Sequence, residues 1–220
     1  MNSGHRNDHL ITRRQFNWSA ILMASVGLIG QPLALIASSK SNPDLASLRN
    51  ILNKRTSFYS RSSWARQSPI YARLAPAAPY YRITIHHEGN DTNYDRSSSA
   101  VIRDLQQVLA AHRRKGYGDI GYHFMIDYSG RIWEGRSLKY QGAHVSSRNP
   151  GNIGIVLLGN FEIQKPAVAQ KDALVKLVAE LRSYYGIGRR RIYGHRDLDS
   201  TLCPGRNLYA FLPTLKASTG

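Results

Sequence analysis

The sequence predicts an α/β protein: a single domain whose mixed central β-sheet is flanked by helices. Three observations carry this expectation. Short runs with strand-like alternation or continuous apolar character recur between longer segments whose apolar residues fall at helical spacing. The 220 residues are 42% hydrophobic and include 13 Tyr and 3 Trp, enough to fill a core and too many for a disordered chain. No internal repeat or short period runs through the chain, which sets aside solenoids, coiled coils and collagen-like sequences.

The first element is an address. Residues 1–17 are polar and carry Arg13-Arg14 ahead of Phe16; Trp18 to Ala37 is apolar, and Ala37-Ser38-Ser39 supplies small residues before Lys40. A charged start, an apolar middle and a small-residue exit are the parts of an export signal. The paired arginines resemble the twin-arginine type, whose receptor exports proteins already folded. Residues 1–39 are therefore expected to be a signal recognised by the twin-arginine export machinery, with cleavage after Ala37 or Ser39. The product would lie in the periplasm or be secreted to the cell envelope. An uncleaved anchor is the alternative, since twenty residues can span a bilayer, but Gly27, Gly30, Gln31 and Pro32 dilute the run.

Residues 40–59 read as a linker with a short helix, from Leu45, Leu48, Ile51 and Leu52 at helical spacing. The main domain is expected over 60–215, opening at Arg61-Ser62-Ser63-Trp64, with 216–220 as a tail. Tyr81 to His86 alternates as a strand does. Ser97-Ser98-Ser99 caps a helix with the stripe Val101, Ile102, Leu105, Val108 and Leu109, stopped at Gly116. Tyr122–Asp127 and Arg131–Glu134 form a hairpin about Tyr128-Ser129-Gly130. Asn152–Leu158 is nearly all apolar, as suits a central strand covered on both faces. Ala167–Tyr185 is a second amphipathic helix ended by Gly186. Arg191 to Gly194 is the last strand, and a short helix starts near Asn207.

Thirty Lys+Arg against 14 Asp+Glu gives a net charge of +16. Residues 1–39 hold three of the arginines and one aspartate, so residues 40–220 keep 27 basic against 13 acidic side chains, or +14. Arg113-Arg114-Lys115 and Arg189-Arg190-Arg191 favour adsorption to acidic polymers by long-range attraction. Binding to nucleic acid is not expected: no helix-turn-helix, zinc-finger spacing or aromatic-basic interleaving is present. A single cysteine rules out an internal disulfide, leaving a free thiol, an intermolecular link or a metal ligand.

The histidines gather at strand ends and loop mouths: His86-His87, His123, His144 and His195, with only His112 inside a helix. Strand ends are where open α/β folds build sites. His195 ends a strand, and Cys203 follows eight residues later in a Pro-Gly loop. With His86 from another strand they make two imidazoles and one thiolate, the ligand set of a catalytic zinc site with a fourth position left open.

Five ordered motifs carry a resemblance: Ile83-Thr84-Ile85-His86-His87, Gly121-Tyr122-His123-Phe124, Gly142-Ala143-His144, Asn152-Ile153-Gly154-Ile155 with Gly159-Asn160-Phe161, and Gly194-His195-Arg196-Asp197 leading to Thr201-Leu202-Cys203-Pro204-Gly205. Together they resemble the type 2 N-acetylmuramoyl-L-alanine amidases, in the branch shared by peptidoglycan recognition proteins and phage lysozyme-type amidases. The resemblance covers about residues 60–215. It implies a zinc-dependent hydrolase that cuts the amide between N-acetylmuramic acid and L-alanine of peptidoglycan, with water activated at the metal as nucleophile and a muramyl peptide as partner.

By that resemblance the Zn2+ ligands are His86, His195 and Cys203, and Tyr122 and Thr201 flank the scissile carbonyl. His123, Trp133, His144 and Asn149 match positions that contact the muramyl group and stem peptide. His87 should point to the opposite side of its strand. Two departures stand out. Some relatives carry a lysine where Thr201 stands, and others a glutamate on the strand that here reads Val156-Leu157-Leu158. Glu88, just past His86-His87, is then a candidate proton acceptor, beside Tyr122 and the activated water itself. A non-catalytic recognition module that binds peptidoglycan is the alternative function, and a monomer is expected.

Overall fold

A computed structural model describes residues 45–90 and 95–219; the expected export signal, residues 1–39, lies outside them. Among the described residues six strands form one sheet in the order β1-β4-β3-β5-β2-β6. They are β1 (Phe58–Tyr59), β2 (Arg82–His87), β3 (Phe124–Ile126), β4 (Ile132–Glu134), β5 (Asn152–Leu157) and β6 (Ile192–Gly194). β3 and β4 pair antiparallel as the expected hairpin, and every other neighbouring pair is parallel. Gly130 turns the hairpin at φ +79°, where a Cβ would come within 2.5 Å of the Ala169 carbonyl oxygen, so no side chain fits. β5 lies between β3 and β2, and all six of its residues are buried.

The helices are α1 (Leu45–Arg55), α2 (Ser98–Arg114), α3 (Val168–Tyr185), α4 (Arg206–Tyr209) and α5 (Leu212–Ser218). Ser97 caps α2 as its sequence suggested, its hydroxyl accepting from Ala100 N–H at 3.2 Å. Gly186 ends α3 in the left-handed region at φ +68°. The helices cover the two faces of the sheet unequally. On one face Ile83, Ile85, Ile153, Ile155 and Leu157 pack with residues of α1, α3 and α5. On the other, Val101, Leu105 and Leu109 of α2 meet Met125, Trp133 and Val156. Strand alternation puts Thr84, His86, Asn152 and Gly154 on this second side, a polar stretch beyond the apolar contacts of α2. The site is built there.

Two expectations are corrected at the ends. Residues 45–59 are not a linker: Leu48 and Leu52 are 2% and 1% exposed within the main core, and β1 pairs with β4. A two-residue strand carries too little pattern to be read from sequence. At the other end Leu215 and Thr219 are buried, and Thr219 Oγ1 donates to the Leu215 carbonyl, so residues 216–218 of the expected tail belong to α5 and Thr219 caps it. Among the described residues no helix is long and apolar enough to cross a membrane.

Candidate metal centre

His86 sits near the end of β2, and the residue after it turns to the other side of the sheet. His86 is 1% exposed, whereas the His87 ring accepts from Phe161 N–H at 3.2 Å through Nδ1. His195 follows β6, which pairs with β2, so adjacent parallel strands deliver the two imidazoles with ring centroids 4.6 Å apart. The loop that carries Cys203 is tied back to the same place. Arg196 N–H donates to the Cys203 carbonyl at 2.8 Å, and Asp197 Oδ2 accepts from Gly194 N–H at 2.8 Å. Gly205 takes φ +84°, and a Cβ there would meet the Phe161 carbonyl carbon at 2.4 Å. His195 and Cys203, eight residues apart, are thereby folded onto one point with His86.

Ligand atoms of His86, His195 and Cys203 all lie within 4.8 Å of one another. His86 Nδ1 is 3.6 Å from Cys203 Sγ; a nitrogen and a sulfur on one tetrahedral zinc are separated by about 3.6 Å, from bond lengths of about 2.05 and 2.3 Å. His195 Nε2 is buried with no hydrogen-bond partner, the kind of orphan that a cation satisfies. Burial holds His86 and His195 well below or below the ordinary imidazole range, so both are neutral at pH 7 and present lone pairs. Burial pushes the Cys203 thiol up to about 12, opposed by the His87 N–H and the Arg196 charge. Neutral imidazoles and a half-buried thiol suit Zn2+ or a similar borderline cation.

Tyr122 stands beside this cluster, its half-buried ring 5.2 Å from that of His86 and 5.5 Å from that of His112. Burial, with Cys203 and Glu88 nearby, raises its hydroxyl above the usual phenol range, so it stays protonated as a donor. Two grooves of about 380 and 470 Å³ meet at His112, Lys115 and Tyr122. Glu88 lines the first, raised by burial while its Oε1 accepts from Asn90. A larger groove, about 930 Å³, is lined by Arg61, Arg66, Tyr71 and Tyr140. None of the three ligands lines any of these grooves; Tyr122, which packs against His86 and borders the two smaller ones, is what connects them to the cluster.

The remaining expected residues divide between the surroundings of the cluster and the core. Thr201 is exposed and its Oγ1 accepts from Cys203 N–H at 3.2 Å, which shapes the ligand loop. Trp133 is 1% exposed, stacked on Tyr59 with its indole N–H on Asp127 at 2.8 Å; it is hairpin core, not groove wall. His123 is fully buried, accepting from Gly154 N–H through Nδ1, with Nε2 facing Tyr80 Oη and the Tyr140 carbonyl. His144 is 9% exposed and has both ring nitrogens engaged, one with His86 and one with the Asn152 carbonyl. Asn149 borders the groove of Tyr122, but its Oδ1 accepts from His144 and Val145 N–H and its Nδ2 donates to Ser146. Most polar atoms of these four residues thus have partners inside the protein, while His144 and Asn149 also line the groove beside Tyr122. The groove residues that sequence reading missed are His112, Lys115 and Tyr117. His112 had a signal: it follows Leu105 by seven residues and so continues the inward stripe of α2.

The mixed α/β sheet thus carries, beside the ends of neighbouring parallel strands, a two-histidine, one-cysteine cluster that could hold a metal ion. Residues 76–206 match the N-acetylmuramoyl-L-alanine amidase family, and the chain belongs to it. It is 37% identical over 153 residues to peptidoglycan-recognition protein SC2 of Drosophila melanogaster, covering 68% of this chain and 81% of that one. It is 32% identical over 155 residues to peptidoglycan-recognition protein SD of Drosophila simulans, covering 70% and 82%. Among solved structures, the endolysin N-acetylmuramoyl-L-alanine amidase LysCS from Clostridium intestinale superposes with a TM-score of 0.61 at 26% identity, over 73% of this chain and 93% of that one. The complex of recognition proteins LCa and LCx with tracheal cytotoxin gives 0.65 at 30% identity, over 70% and 93%. The relatives thus include amidases and peptidoglycan-recognition proteins.

Proposed function

We propose that the protein is a zinc amidase that hydrolyses the bond between the lactyl group of N-acetylmuramic acid and L-alanine of the stem peptide. The convergence of His86, His195 and Cys203 on one point, with a groove alongside, carries the reading. Two neutral imidazoles and a half-buried thiol brought to one point are the ligand set that such a reaction requires, which favours it over recognition alone. Zn2+, when bound there, supplies Lewis acidity that polarises an amide carbonyl and acidifies water.

The chain's own groups do the rest. His86, His195 and Cys203 hold the cation. The protonated Tyr122 hydroxyl donates toward the carbonyl oxygen as negative charge develops on it. Glu88, raised by burial and bordering a groove with Tyr122, is the carboxylate placed to take up a proton and return it to the leaving amine. Export through the twin-arginine route and residence in the periplasm or at the cell envelope belong to the same proposal. The Arg13-Arg14 signal supports them, and an already folded passenger suits a thiolate protected by its metal.

Digestion of purified cell wall tests the function. The purified chain is expected to release new L-alanine amino termini, detected by mass spectrometry, and to stop doing so with chelator. Cys203→Ala is expected to abolish release while leaving the far-UV circular dichroism unchanged, because the sheet does not depend on the thiol. Wall binding with no product from the wild-type protein would favour recognition without cleavage.

A further inference from the structure

A carbonyl oxygen can only accept a hydrogen bond. His144 Nε2 lies 3.2 Å from the Asn152 carbonyl on β5, so that nitrogen carries the ring's proton. His144 Nδ1 is then the lone-pair nitrogen, and at 3.0 Å it accepts from His86 Nε2. His86 in turn carries its proton on Nε2 and leaves Nδ1 bare, and Nδ1 is the atom that faces Cys203 Sγ at 3.6 Å. A backbone carbonyl in the middle of the sheet thus dictates, through two imidazoles, which nitrogen the buried strand offers to the cluster.

The His144 ring lies close against two glycines. A Cβ on Gly154 would lie 2.5 Å from its Cδ2, and one on Gly142 would lie equally close, so two glycines shape the slot that holds it. Asn149 fixes the backbone beneath it, accepting from His144 N–H at 2.8 Å.

We infer that His144 is a positioning residue for the metal centre: it sets the tautomer and rotation of His86 so that Nδ1 is the free nitrogen directed at Cys203. The inference rests on the metal-centre reading above and adds to it a residue that acts through His86 rather than as a ligand. Hydrogen-bond partners of this kind are worth 10- to 100-fold, to order of magnitude, in metal affinity.

Three substitutions separate positioning from space filling. His144→Asn keeps an acceptor near the place of Nδ1 but cannot reach the Asn152 carbonyl. His144→Gln reaches that carbonyl, fills more of the slot and moves its amide away from His86. His144→Ala keeps neither. Each full-length variant is titrated with Zn2+ against a chromophoric chelator, and the visible spectrum of its Co2+ form is recorded. Positioning predicts about a 10- to 100-fold loss of Zn2+ affinity and an altered Co2+ spectrum for Ala and Gln, with rescue toward wild type in Asn. Equal affinity in all variants overturns the inference, as does a loss that follows side-chain volume with Gln above Asn; either leaves the metal centre standing. Should Gln prove unfolded by circular dichroism, the pair Asn and Ala decides, and equal affinities there overturn it. A wild-type chain that takes up no Zn2+ sinks the metal-centre reading itself.

Discussion

At the scale of single residues, the proposed reaction gives an uncharged group, Tyr122, catalytic work to do. Its ring leans on His86 and His112, and burial keeps its proton in place. Tyr122→Phe removes one oxygen and little packing. It is expected to lower kcat on wall fragments by about 10²-fold with KM little changed, as loss of one donor to a developing oxyanion does; a full-rate variant would remove Tyr122 from the reaction. The ligands themselves were legible in the sequence, because chemistry restricts which residues can hold a metal. Which of the substrate candidates have internal hydrogen-bond partners was not. His123, His144 and Trp133 have hydrogen-bonding groups suited to a ligand, and only their neighbours (Tyr80, Asn152 and Asp127) reveal that those groups are already used.

Among the elements, the β3–β4 hairpin is organised by one carboxylate. Asp127 is fully buried and accepts from Ser129 N–H, Arg131 N–H, Arg131 Nε and Trp133 Nε1 at 2.6–3.1 Å. Arg131 continues outward to Ser98 Oγ and the Arg96 carbonyl, which ties the hairpin to the start of α2. Asp127→Ala leaves a largely buried guanidinium without its counter-charge, which is expected to cost about 3–5 kcal/mol. Urea unfolding of the variant against wild type measures it, and a change under about 1 kcal/mol would contradict the buried-pair argument. The hairpin, α2, β5 and α3 were each readable from turn residues, caps and periodicity. β1 was not, since two residues have no period; what marks it is tertiary, the pairing with β4 and the stacking of Tyr59 on Trp133 at 4.4 Å.

For the molecule as a whole, buried imidazoles govern the response to acid. Burial takes His123 and His112 each to about 4, with Arg136 acting in the same sense on both, Lys115 adding to it at His112, and the Tyr140 carbonyl opposing it at His123. Between about pH 6.5 and 4 the unfolded chain binds protons on these residues that the folded chain refuses, so stability falls as pH falls through that window and is recovered above it. His86, His87, His144 and His195 shift the same way, while Glu88 and Asp104, raised by burial, shift oppositely. The chelated protein is expected to melt several degrees lower at pH 5 than at pH 7 in scanning calorimetry; equal melting temperatures would show that the imidazoles are less enclosed than their packing implies.

The ligand cluster is held by strands, glycines and peptide groups whose bonds need no cation: Asn152 secures His144, His144 secures His86, and Arg196 secures the Cys203 loop. A scaffold of that kind keeps its vise open at the correct gauge when emptied. Starved of metal and later resupplied, the protein should recharge in a single binding step without refolding, and regain its full working capacity on the timescale of ion diffusion and thiol deprotonation.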